Sequence, residues 1–152
     1  MTPPRPTVYL DTNVFIAAFE HATARADHAR WLLSAVEAGW IAGATSELTL
    51  AELLVKPLQV GASDLVEAYK DMIQSTAGFE VVTVDRDILI EAARVRAGRL
   101  SIRLPDAVHV ATARHLGCDC LVTGDGRLST QLDLQAIQLG PHTVDIVLGR
   151  LR

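Results

Sequence analysis

Four acidic residues stand out by where they fall. Asp11 follows the short apolar run Thr7-Val-Tyr-Leu10 and opens Asp11-Thr-Asn13. Asp125 follows Cys120-Leu-Val-Thr123 and lies between Gly124 and Gly126. Both runs read as buried strands, and in an open α/β sheet the binding crevice lies beyond the carboxyl ends of the strands. Glu52 and Asp106 lie in apolar helical company instead, within Leu48–Val55 and at the head of Asp106–Ala113. A carboxylate there needs an edge or a partner, because an unpaired buried charge is unfavourable.

Brought together, these carboxylates would repel one another and raise each other's pKa, a penalty that a divalent cation removes. Ligands that are all oxygen suit Mg2+ or Mn2+. Such a centre can activate water, neutralise a phosphate and stabilise a departing oxygen. Each acid also has a plainer reading. Asp11 and Asp106 suit helix N-termini, Asp125 suits a turn, and Glu52 suits a solvated helix position. His115, Cys118 and Cys120 are too compact for a zinc site, and two of them fall in or beside a strand.

The elements that must carry these residues alternate. Thr7–Leu10, Trp40–Thr45, Phe79–Val84, Cys120–Thr123 and Gln135–Leu139 read as strands. Thr12–Glu20, Arg25–Ala38, Ser63–Gln74, Arg86–Ala97, Pro105–Leu116 and Thr143–Leu151 read as helices. A further helix, capped by Ser46, runs to about Val55, where Pro57 stops it. Asp85 caps the helix that follows the third strand. This order implies a parallel sheet covered on both faces. No repeat or linker divides the chain, so residues 1–152 form one domain.

Composition sets the remaining bounds. A chain of 152 residues is long enough to build one core without disulfides. Cys118 and Cys120 are too close in sequence for an unstrained disulfide, which fits a reduced, cytoplasmic protein. No apolar run reaches the roughly 18–20 residues of a membrane helix, and Met1–Pro6 lacks the apolar core of a secretory signal. The net charge of −4 argues against tight, nonspecific binding to nucleic acid.

The chain resembles the PIN-domain ribonucleases, most closely the VapC-type toxins of bacterial toxin–antitoxin pairs. The matching stretches are Val8-Tyr-Leu-Asp-Thr-Asn13, Thr45-Ser-Glu-Leu-Thr-Leu-Ala-Glu-Leu53, Leu104-Pro-Asp-Ala-Val-His-Val-Ala-Thr-Ala113 and Leu121-Val-Thr-Gly-Asp125. Their order and spacing match across nearly the whole chain. The resemblance implies a three-layer α/β/α domain with a central, mostly parallel four- to five-stranded sheet. It implies metal-dependent hydrolysis of RNA, with Asp11, Glu52, Asp106 and Asp125 as the acidic quartet. Asp11, Asp106 and Asp125 would hold Mg2+ or Mn2+, and Glu52 would bind a second ion or orient the attacking water. Thr12, Asn13 and Thr123 would support the carboxylates. An antitoxin protein and a second copy of the chain are the partners it implies. Gly124 and Leu128 depart from the Asn and the aromatic residue that the family often places there.

Other features read more simply. Arg94, Arg96, Arg99 and Arg103 form the basic cluster leading into Asp106. Arg96, Arg99 and Arg103 are candidates to guide RNA, and a solvated basic face explains them equally well. Gly98 would interrupt any shared helical face. His109, one turn beyond Asp106, reads as a packed core histidine rather than a general base. Trp31 and Trp40 read as core or interface residues. A dehalogenase-like phosphatase would need an acid at position 13, which is Asn. A phospho-receiver domain would need an acidic pair after the first strand and a lysine after a later one. A catalytically silent PIN-like module, which would bind RNA or protein without cutting, would be favoured by loss of one of the four acids.

Overall fold

The first strand, β1 (Thr7–Leu10), lies at the centre of a five-stranded sheet. Its odd and even residues serve different layers, because side chains alternate across a strand. Val8 and Leu10 enter one core and Tyr9 the other. The computed structural model describes residues 4–124 and 134–150.

The chain continues through α1 (Thr12–Ala18), α2 (Ala24–Glu37), β2 (Ala42–Ser46), α3 (Glu47–Gln59) and α4 (Ser63–Met72). Then come β3 (Phe79–Val82), α5 (Arg86–Gly98), α6 (Leu104–His115), β4 (Cys120–Thr123), β5 (Gln135–Gln138) and α7 (Thr143–Val147). The strand order is β3-β2-β1-β4-β5, and every pairing is parallel. Helices α1 to α4 and α7 supply the core with Val8 and Leu10, while α5 and α6 pack on Tyr9 and Leu121. The architecture is therefore three layers, α/β/α, as the alternation of elements implies.

The strand order explains where a site belongs. From β1 the chain steps to β2 and β3 on one side, and later returns to β4 and β5 on the other. The order reverses between β1 and β4, and a crevice forms at such a switch point. The residues leaving β1 and β4 are Asp11 and Gly124. The Asp11 N–H donates to the Val122 carbonyl at 3.1 Å, which ties the two exits together.

Several expectations are corrected. Helix α3 continues through Pro57 to Gln59. Pro57 is buried and only two helical residues follow it, so just one backbone bond is forgone near an end already short of partners. Ser46 stands at the head of α3, but its side chain makes no capping bond. Strand β3 ends at Val82, two residues early, and α7 ends at Val147. Gly149 follows with φ of 71°, a conformation that does not continue a helix. Trp31 and Trp40 are not core residues: they are 51% and 48% exposed and pack edge-on against each other. Arg150 lies over the Trp40 ring. Asp85 caps α5 as expected, accepting from the Ile88 N–H at 3.0 Å.

Both cysteines are free and buried, and burial is the main force pushing each thiol up to about 12. Only thiolate reacts. A thiol reagent at pH 8 should therefore label neither cysteine in the native protein and both after denaturation. Rapid native labelling would show that the segment around β4 opens readily.

Candidate active site

Asp11 closes β1 and opens α1. It is 5% exposed, and its Oδ1 accepts the Asn13 N–H at 3.0 Å, which makes it the N-cap of α1. The helix-capping reading of this residue is thus correct, but it is incomplete. The Thr123 hydroxyl and the Gly124 and Val14 N–H donors also favour its ionised form, and the Val14 N–H bonds the Asp11 main-chain carbonyl at 3.2 Å. Burial raises its pKa above the usual carboxylate range; those donors and the nearby His109 oppose the rise without cancelling it. The fold holds a carboxylate where its charge is unfavourable without a cation.

Glu52 reaches the same region from α3. Its Oε1 accepts the Thr12 hydroxyl at 2.7 Å and lies 2.6 Å from His109 Nε2. Burial alone would raise its pKa. Bonds from His109 and Thr12, with the favourable electrostatics of His109 and Arg103, outweigh that and leave it lowered. Glu52 is therefore neither a solvated helix position nor an isolated acid. Through Thr12 it touches the residue beside Asp11, and through His109 it touches α6.

Asp106 stands in the first turn of α6, where its charge meets the helix dipole. It lies one turn before His109, and residues three apart share a helix face. Arg103, the N-cap residue, places Nε 3.5 Å from Asp106 Oδ2. Arg103 is largely exposed, so this pair adds little stability.

Asp125 lies outside the described residues, and so does Leu128. Their neighbour Gly124 is described. A Cβ on it would stand 2.7 Å from the Asn13 Cβ and would collide with the Arg25 guanidinium. Gly124 thus lies against the start of α1 at a separation that leaves no room for a Cβ. That accounts physically for the Gly124 departure.

Asp11 closes β1, Glu52 bonds Thr12 beside it, and Asp106 stands one turn before His109, the other partner of Glu52. Among the described residues, no group of three His, Cys, Asp or Glu side chains is placed to hold a metal ion. The donors are nonetheless the hard oxygens that Mg2+ and Mn2+ prefer, and the buried Asp11 carboxylate is the kind of group such an ion stabilises. The residues present fit a divalent cation.

The basic cluster does not form one face. Gly98 is the last residue of α5, and Arg99 is extended at its C-cap. The Arg96 Nε donates to the Ile102 carbonyl at 2.8 Å, so this guanidinium braces the loop into α6. His109 is buried, as read from the sequence, but both ring nitrogens face side chains: Glu52 on one and the Tyr9 hydroxyl on the other, each at 2.6 Å. The His109–Glu52 bond and the Tyr9–Ser46 bond behind it were missed from sequence. The available signal was the three-residue step from Asp106 to His109. A cavity of about 750 Å³ lies elsewhere, lined by Phe15, Val36, Met72 and Phe79 near the amino ends of the strands.

The PIN-domain family model matches residues 8–131, which include all four acids. The chain belongs to the PIN-domain family. Among solved structures, this PIN domain resembles a DNA-bound VapBC from Salmonella typhimurium, with 17% identity over 88% of this chain and 98% of that one, and a TM-score of 0.67. A VapC20 toxin from Mycobacterium tuberculosis, described as cleaving the sarcin–ricin loop, matches with 17% identity over 84% and 98% and a TM-score of 0.65. A toxin–antitoxin complex from Klebsiella pneumoniae matches with 21% identity over 86% and 95% and a TM-score of 0.65. At these identities the likeness establishes the fold. No curated protein matches the chain. No helix among the described residues is long and apolar enough to cross a membrane.

Proposed function

We propose that this PIN domain is a Mg2+- or Mn2+-dependent endoribonuclease and the toxin of a toxin–antitoxin pair. The observation that carries the reading is the buried Asp11 carboxylate at the switch point between β1 and β4, next to Thr12, whose hydroxyl holds Glu52. In this reading Asp11, Asp106 and Asp125 hold the ion. When bound, the ion supplies an activated water and charge neutralisation at a phosphodiester.

The chain's own residues do the rest. Thr123 and the N–H groups of Asn13, Val14 and Gly124 orient Asp11. Thr12 holds Glu52, which stays ionised and takes up the proton of the attacking water. Asn13 lines the approach beside Gly124. Arg103 pairs with Asp106 and is the member of the basic cluster best placed to meet an RNA phosphate; Arg99 follows α5 on the same connection, and Arg96 braces that loop. Cleavage leaves 5′-phosphate and 3′-hydroxyl ends.

The antitoxin partner is favoured by two of the solved neighbours, the Klebsiella pneumoniae toxin–antitoxin complex and the Salmonella typhimurium VapBC. A homodimer is part of the same reading, and the exposed Val55, Leu58 and Val60 at the end of α3 offer apolar surface for either protein partner.

Purified protein should cut single-stranded and structured RNA with Mg2+ or Mn2+, and addition of a chelator should stop it. Absence of cleavage with either ion, across transfer, ribosomal and messenger RNA, overturns the nuclease reading.

A further inference from the structure

We propose that His109 is a positioning residue for Glu52, held in turn by Tyr9, so that the buried chain Ser46–Tyr9–His109 fixes one carboxylate oxygen and leaves the other for the reacting water. What that second oxygen does rests on the ribonuclease reading above; the chain itself stands on geometry.

His109 is 3% exposed, and Tyr9 is fully buried. The His109 Nε2 lies 2.6 Å from Glu52 Oε1, and Nδ1 lies 2.6 Å from the Tyr9 hydroxyl. The Tyr9 hydroxyl also bonds Ser46 Oγ at 3.1 Å. This is why Ser46 heads α3 without capping it. An ionised carboxylate only accepts, so Nε2 must carry a proton and donate it. Among the described residues Glu52 Oε1 has two donors, Thr12 and His109, whereas Oε2 has none.

The arrangement exceeds what packing requires. A core histidine can satisfy its nitrogens on nearby carbonyls or water. Here both nitrogens face side chains, and one of these is a site acid. Glu52 is half-buried on α3 and has three rotatable bonds, while its anchors come from elsewhere: Tyr9 from β1, Ser46 from the end of β2 and His109 from α6. The sheet thereby sets the position of a flexible acid. Tilting of the Tyr9 and His109 rings, with centroids 5.6 Å apart, keeps the imidazole edge aimed at both partners. Partners that orient a reacting carboxylate typically affect rate by about 10–100-fold when removed.

Two readouts test this on the Mg2+-loaded protein. The first is the side-chain 15N–1H spectrum of histidine. A protected Nε2–H signal should be lost in His109→Gln. It should shift in both Glu52→Gln and Tyr9→Phe, and stay put in Arg150→Ala, which lies beside Trp40 at the other end of the sheet. A signal indifferent to Glu52→Gln overturns the proposal whether or not RNA is cut.

The second readout is cleavage kinetics. Tyr9→Phe removes one oxygen and should lower kcat about 10-fold or more with KM within about twofold. His109→Leu should lose more, and His109→Gln, whose amide can donate to Glu52, should recover part of kcat. In a Glu52→Gln background, His109→Leu should add nothing. Additive losses, or an unchanged kcat in both Tyr9→Phe and His109→Leu, overturn the positioning role. If the wild-type protein cuts no RNA while the Nε2–H signal still answers to Glu52, the nuclease reading fails and the chain of bonds stands.

Discussion

Asp11→Asn is expected to abolish metal-dependent RNA cleavage, by about 10³-fold or more, in a protein that still folds. The magnitude follows from the several kcal/mol that a metal ligand and its ion contribute at a phosphoryl centre, at about 1.36 kcal/mol per tenfold. Folding survives because the Asn oxygen can still accept the Asn13 N–H that caps α1. The same variant should change the pH dependence of stability. Burial raises the Asp11 pKa in the folded state, so between the unfolded and folded values the native protein binds more protons. In chelator, wild-type stability contributed by this group is complete below the ordinary Asp range, near ~4, and is lost as pH rises through the raised folded value. Asp11→Asn removes that slope. Glu52 acts in the opposite sense: its lowered pKa stabilises the fold above the ordinary Glu range, and that is lost on acidification. Thermal melts with chelator and with Mg2+ check both points. Mg2+ should raise the wild-type Tm and leave the variant's unchanged. Full cleavage by Asp11→Asn, or an equal Mg2+ stabilisation of both proteins, would exclude Asp11 as a ligand.

Phe15→Ala should lower stability by about 3–5 kcal/mol, the range for removing a buried phenyl ring. A domain is stable by only about 5–15 kcal/mol, and at this size each kcal/mol moves Tm by about 2–4 °C, so a fall on the order of 10 °C is expected. The physical reason lies in α1. Its seven residues are too few to be helical alone. Phe15, 1% exposed and set against Phe79 at 6.0 Å between ring centroids, helps pin it to the sheet together with Val14 and Ala18. Because α1 begins with Thr12 and Asn13, loosening it should also weaken the Mg2+-induced rise in Tm. A loss under about 1 kcal/mol, measured by urea unfolding, would show that α1 is held by other contacts.

Much of the architecture was legible from local chemistry. Alternating apolar strands and amphipathic helices implied the parallel sheet, and Asp85 was recognisable as a cap from its type and place. The errors have physical causes. Pro57 was read as a stop because proline breaks helix interiors; near a helix end the missing N–H matters little, and burial of the ring decides. Of the two readings of Trp31 and Trp40, core or interface, the core one fails, because the two large rings pair with each other on the surface. Ser46 was read as a capping side chain, but a stronger tertiary demand, the buried Tyr9 hydroxyl, takes its oxygen.

For the site, residue type and spacing alone identified Asp11, Glu52, Asp106 and Asp125 as acids set at strand ends and in apolar helices, and so a candidate for divalent metal. That much is local, because strand ends and helix faces are written in periodicity. Which way each acid is biased is not local. Asp11 and Glu52 are both carboxylates beside His109, yet one pKa rises and the other falls. Asp11 is almost wholly buried at the close of β1, where burial outweighs its donors. Glu52 is half-exposed and receives a histidine and a hydroxyl from two other elements. Burial and long-range hydrogen bonds exist only once β1, α3 and α6 are packed, so the tertiary structure decided them, as it decided that His109 serves Glu52.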